Sequence, residues 1–92
     1  MPSIKIVGKV KKVGDVIVKN DFRKRELIVE TEEQYSQVIA IEFVKDKEAE
    51  LDLIQPNDRV EVECNMRGRA WTNQDGEEKY FLSVQAWKLT KL

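Results

Sequence analysis

Two stretches place cations beside flat aromatic rings at a spacing that could do chemistry. The later one reads Arg67-Gly68-Arg69-Ala70-Trp71 and resumes, after a polar segment, at Lys79-Tyr80-Phe81. The earlier one reads Phe22-Arg23-Lys24-Arg25. In an extended chain, residues two apart share a face, so Arg67, Arg69 and Trp71 point the same way. A guanidinium or ammonium group neutralises phosphate and releases its counterions. An indole or phenyl ring gives an unpaired base a surface to stack on. A duplex hides its base faces, so the chemistry this pattern fits is binding of single-stranded nucleic acid. The candidate binding residues are Arg67, Arg69, Trp71, Lys79, Tyr80 and Phe81, with Phe22, Arg23 and Arg25 from the earlier stretch. Lys9 and Lys11 join them from the lysine-rich start. Tyr80 and Phe81 are consecutive, so only one of them can belong to the platform. Trp71 either stacks on bases or covers the domain or a subunit interface, and Trp87 reads as packing or interface.

Catalysis finds little support. The chain has no histidine, which removes the commonest general base and the commonest transition-metal ligand. Cys64 is the only cysteine, on the apolar side of an alternating strand, and reads as a small buried hydrophobe. The four glycines are scattered, so no phosphate-cradling loop is present. Glu30, Glu32 and Glu33 form a surface run without a partner base. The expectation is a protein that is no enzyme, with no catalytic residue, no cofactor and no metal site.

The elements that must carry these residues are strands. Ile4, Ile6, Gly8 and Val10 alternate with polar residues, a half-buried strand over Ile4–Val13 with a bend at Gly8. Further strands are expected at Phe22–Thr31 and Gln37–Val44, the latter apolar enough to be covered on both faces for part of its length. Residues 46–54 predict a short helix with Asp46 as N-cap, stopped by Pro56. Val60, Val62, Cys64 and Met66 mark a fourth strand that continues to Trp71. Asp75-Gly76 signals a hairpin loop, and a fifth strand covers Lys79 to Leu89. Three strands, a helix and a two-stranded hairpin is the OB-fold order, an all-β five-stranded Greek-key barrel with one short helix between strands three and four. Another small barrel, such as an SH3-like one, would not need the helix.

With 92 residues the chain is expected to form one domain, 1–92. A net charge of -1 argues mildly against a polyanion partner. The distribution answers this: cations gather on the first strand, the start of the second and the hairpin, whereas anions gather between residues 26 and 63. No apolar run of membrane-spanning length occurs and the start carries no apolar leader, so a cytoplasmic protein without membrane contact is expected.

Several stretches resemble known families. Leu53-Ile54-Gln55-Pro56-Asn57-Asp58-Arg59-Val60 is similar to the helix-to-strand passage of OB-fold domains, with Asn57 where a glycine is usual. Residues 66–80 resemble the hairpin of bacterial single-stranded-DNA-binding proteins, where Arg-x-Trp precedes an Asp-x-x-Gly-type loop. Leu27 to Tyr35, Gly68-Arg69-Ala70-Trp71 and Ala86-Trp87-Lys88 resemble the DUF3127 family over nearly the whole chain. The resemblance implies an OB fold and a base-stacking role for Trp71. Two departures stand out: these 92 residues hold no acidic tip, and Ser36–Phe43 holds no tryptophan. The expected function is non-catalytic, sequence-tolerant binding of single-stranded DNA, or RNA, in replication, recombination or repair. A homodimer or homotetramer is expected, with a replication or phage protein as a further partner. The alternative is an OB-fold module that binds protein and not nucleic acid.

Overall fold

The computed structural model describes residues 3–19 and 22–92, leaving aside the side chains of Lys19, Phe22, Lys45 and Asp46. The described residues form six strands: β1 (Ser3–Val13), β2 (Ile17–Lys19), β3 (Phe22–Thr31), β4 (Val38–Val44), β5 (Arg59–Thr72) and β6 (Glu78–Lys91). A 3₁₀ helix, Lys45–Leu53, lies between β4 and β5. All five sequence-expected strands begin within a residue of their expected starts, and the last runs two residues further, to Lys91. The sixth strand, β2, is an addition of three residues that pairs only with β3. No helix among the described residues is long and apolar enough to cross a membrane.

The pairings run in a circuit. β1 pairs antiparallel with both β3 and β5, β3 with β4, and β5 with β6. A single parallel bridge, Glu42 to Gln85, joins β4 to β6. Gly8 is where β1 changes partner, lying opposite Val60 on one side and Thr31 on the other. A Cβ there would run into the Glu30 carbonyl oxygen and stand 2.8 Å from Val29 Cγ1, so only glycine lets β1 and β3 approach this closely.

Strand alternation delivers the core. Ile6 and Val10 from β1, Leu27 and Val29 from β3, Ile41 and Phe43 from β4, and Val60, Val62 and Cys64 from β5 are all buried. Leu51 and Ile54 close one end of it from the helical segment. Full burial of each such side chain contributes about 1.5–3 kcal/mol. Burial also pushes the Cys64 thiol up to about 11, in line with its reading as a small hydrophobe. Two β-bulges break the alternation, at Val10/Lys12 and at Glu63/Cys64, where Trp87 is the extra residue.

The second face of β4 is exposed at Val38 and Ala40 and partly covered at Glu42 and Val44, so the strand is covered on both faces for part of its length only. Two expectations need correction. The helix is of the 3₁₀ type. It starts at Lys45, with Val44 in the capping position and no side-chain cap, so Asp46 falls inside it and not at its cap. The turn before β5 behaves as expected: Asn57 takes the place of a glycine at φ 77°, a left-handed conformation that asparagine tolerates. Beside it, the Gln55 backbone N–H, followed by the Lys91 ammonium, holds the Asp58 carboxyl below its usual range.

Candidate nucleic-acid interface

β5 and β6 stay paired far beyond the core, out to Thr72 opposite Glu78. Residues Arg67–Thr72 and Glu78–Leu82 are exposed, so the distal hairpin is an arm with two open faces. Its register sorts the side chains. Arg67 lies opposite Ser83, Arg69 opposite Phe81 and Trp71 opposite Lys79, all on one face. Tyr80, opposite Ala70, and Leu82, opposite Gly68, occupy the other. Phe81 is therefore the aromatic that joins the cations, and Tyr80 is not.

The arm is stiff at its tip. Asn73 Oδ1 accepts hydrogen bonds from the backbone N–H groups of Asp75 (3.0 Å) and Glu77 (2.9 Å). Gly76 closes the turn at φ 82°. On the cationic face the Arg69 guanidinium sits 5.5 Å from the Phe81 ring centroid, a cation–π contact. Trp71 keeps 53% of its surface open and Phe81 47%, so both rings remain available to a ligand. From Arg67 to Trp71 the face extends about 13 Å at ~3.3 Å per residue.

At the arm's root a groove of about 510 Å³ opens between the hairpin and the outer faces of β3 and β4. Arg67, Arg69 and Phe81 line it from the hairpin, Lys24 and Glu42 from β3 and β4, and Ser83 and Gln85 from β6. It exists because β6 leaves β4 after the Glu42–Gln85 bridge. Lys24 Nζ stands 3.3 Å from Glu42 Oε1.

Charge pairing separates the cations into two groups. Lys5, Arg23, Lys24, Arg25, Lys47, Arg59, Lys88 and Lys91 each lie within 4.0 Å of a carboxylate oxygen. Arg59 grips Glu32 with two nitrogens, and that hydrogen bonding lowers the Glu32 carboxyl below its usual range. Among the described residues, Arg67, Arg69 and Lys79 on the arm and Lys9, Lys11 and Lys12 on β1 have no such partner. The arm's own carboxylates, Asp75, Glu77 and Glu78, sit at its tip or on the opposite parity.

Of the sequence-predicted set, Arg67, Arg69, Trp71, Lys79 and Phe81 come together on this face. Arg23 is held by Glu48 at 2.7 Å. Arg25 is largely covered, donating to the Gly14 carbonyl (2.7 Å) and to Asp52 (2.8 Å), where it ties the segment after β1 to the helix. Lys9 and Lys11 lie on β1, outside the groove lining. The Phe22 side chain lies outside the described residues. Sequence reasoning passed over Lys24, Glu42, Ser83 and Gln85. Lys24 was within reach, because Leu27 and Val29 point inward and so place Arg23 and Arg25 on that parity and Lys24 outward.

The model of the DUF3127 family, a domain of unknown function, matches residues 5–90. The chain belongs to that family. Among solved structures, this DUF3127 chain is similar to the mitochondrial single-stranded DNA binding protein of S. cerevisiae: 14% identity, TM-score 0.74, 99% of this chain and 94% of that one covered. It is also similar to the Plasmodium falciparum SSB in complex with ssDNA: 16% identity, TM-score 0.72, 100% and 95% covered. At these identities the likeness establishes the fold, an OB fold of the SSB type. A search of curated proteins finds no match.

Proposed function

We propose that this DUF3127 protein is a non-catalytic, sequence-tolerant binder of single-stranded DNA, used in replication, recombination or repair. In this reading it is a single five-stranded OB barrel elaborated by β2, it assembles as a homodimer or homotetramer, and it acts in the cytoplasm. The observation that carries the reading is the hairpin face. Arg67, Arg69, Trp71, Lys79 and Phe81 share one exposed surface, and the three cations have no carboxylate partner among the described residues. Phosphates meet unpaired charge there, and bases meet two open rings. The SSB-type fold of its structural neighbours, one of them in complex with ssDNA, supports the same reading.

The test is a titration of labelled oligo(dT) and of a matched duplex between about 50 and 200 mM salt. Binding to the single strand, weakening steeply with salt and with little affinity for duplex, is the expected result. Equal affinity for both forms, or none at low salt, refutes the proposal.

A further inference from the structure

The groove floor holds a group that phosphate binding does not explain. Glu42 lines the groove that Arg67 and Arg69 make cationic, and its side chain is only 15% exposed. A carboxylate beside a bound polyanion costs affinity unless it contacts something other than phosphate. Lys24 engages Oε1 only; Oε2, the Gln85 amide and the Ser83 hydroxyl have no hydrogen-bond partner among the described residues. Gln85 is the residue bridged to Glu42, so the two stand on adjacent strands. The Phe81 ring lines the same groove, backed by Arg69.

We infer that this groove is a subsite for a single extruded base, and that Glu42 makes it prefer guanine. The inference rests on the single-strand reading above and adds a base preference to it. In a single strand the Watson–Crick edge is free to be read. Guanine alone offers two adjacent donors there, N1–H and N2–H, with the O6 acceptor beside them. The two oxygens of Glu42 accept from the two donors, and the Lys24 ammonium or Gln85 amide donates to O6. Adenine, cytosine and thymine each present one kind of donor position to the carboxylate, and so leave one oxygen unfilled. Phe81 stacks on the ring and Arg67 takes the adjoining phosphate. A volume of about 510 Å³ accommodates one base with its sugar and leaves no room for a duplex. The rest of the arm stays indifferent to sequence.

A well-formed bidentate contact discriminates on the order of tenfold. The experiment compares oligo(dT) with oligo(dT) carrying one central guanine, hypoxanthine or adenine, by anisotropy, against the wild type and Glu42→Gln. The wild type binds the guanine strand about tenfold tighter than the adenine strand, and hypoxanthine, which lacks the 2-amino group, loses most of that gain. Glu42→Gln brings the guanine and adenine strands to equal affinity. The hypoxanthine comparison needs no variant, so it stands even where the substitution disturbs folding. Equal binding of all four strands by the wild type overturns the guanine subsite and leaves single-strand binding intact. Failure to bind any strand overturns both.

Discussion

Trp71→Ala removes the larger of the two rings on the hairpin face. Trp71 is 53% exposed, and its cross-strand neighbour Lys79 occupies the same face. About half of the residue's surface is open, enough for one base to stack on. Stacking of a base on an aromatic side chain is worth about 1–3 kcal/mol, and a half-exposed ring points to the middle of that range. About 1.5–2 kcal/mol corresponds to ~10–30-fold weaker binding of oligo(dT). The fold should hardly notice: Trp71 lies outside the core, and losing one cross-strand pair costs less than about 1 kcal/mol. The chain has two tryptophans, so Trp87→Phe leaves Trp71 as the sole indole, and its fluorescence reports stacking directly. Quenching that saturates with oligo(dT) in Trp87→Phe, and a ~10–30-fold loss in Trp71→Ala with an unchanged melting curve, are expected. Trp71→Ala binding within twofold of wild type at low salt would refute the stacking role.

Three further outcomes follow from the same structure. With Arg67, Arg69 and Lys79 as the unpaired cations, log K should fall with log salt at a slope of about -2, and each Arg→Gln change on the arm should flatten it by about 0.7. A slope unchanged in Arg69→Gln would place the phosphates elsewhere. Gly8→Ala pushes a methyl into the Glu30 carbonyl and should lower stability by about 1–3 kcal/mol in urea melts. The buried Cys64 thiol, raised from 9.0 to about 11, stays protonated in the fold while the unfolded chain ionises. Stability should therefore fall as pH rises from 9 to 11, and the wild type should lose about 2 kcal/mol relative to Cys64→Ala over this window.

The strands were legible because period-2 alternation is local. Val60-Glu61-Val62-Glu63-Cys64 can be read only one way, and Asn57 and Gly8 stand where the backbone needs them. The bulges were half-legible: Val10 to Val13 and Ala86 to Leu89 are apolar pairs three apart, the mark of an inserted residue, but the same spacing occurs in helices. β2 was not legible, since three residues give no period. The groove was not legible either. It joins Lys24, Glu42 and Arg67, widely separated in sequence, and depends on where β6 parts from β4, which no local pattern records. The internal contacts of Arg25 were not legible for a related reason: its inward parity brings it to the Gly14 carbonyl and Asp52, far apart in sequence.

The near-neutral total is the point at which sequence and structure part most usefully. Net charge predicts poor affinity for a polyanion only if every charge is equally free. Here, among the described residues, eight of the chain's 16 Lys and Arg residues are committed to carboxylates within the fold. Each committed pair cancels locally and contributes little field beyond a Debye length of about 8–10 Å. The uncommitted cations then set the local potential, and on the hairpin they stand beside the only two rings that share their face. A protein of net charge -1 can therefore present a surface that a phosphate chain experiences as cationic. In the proposed function it is the charge left over after folding that meets phosphate, and the paired carboxylates fix where that remainder lies.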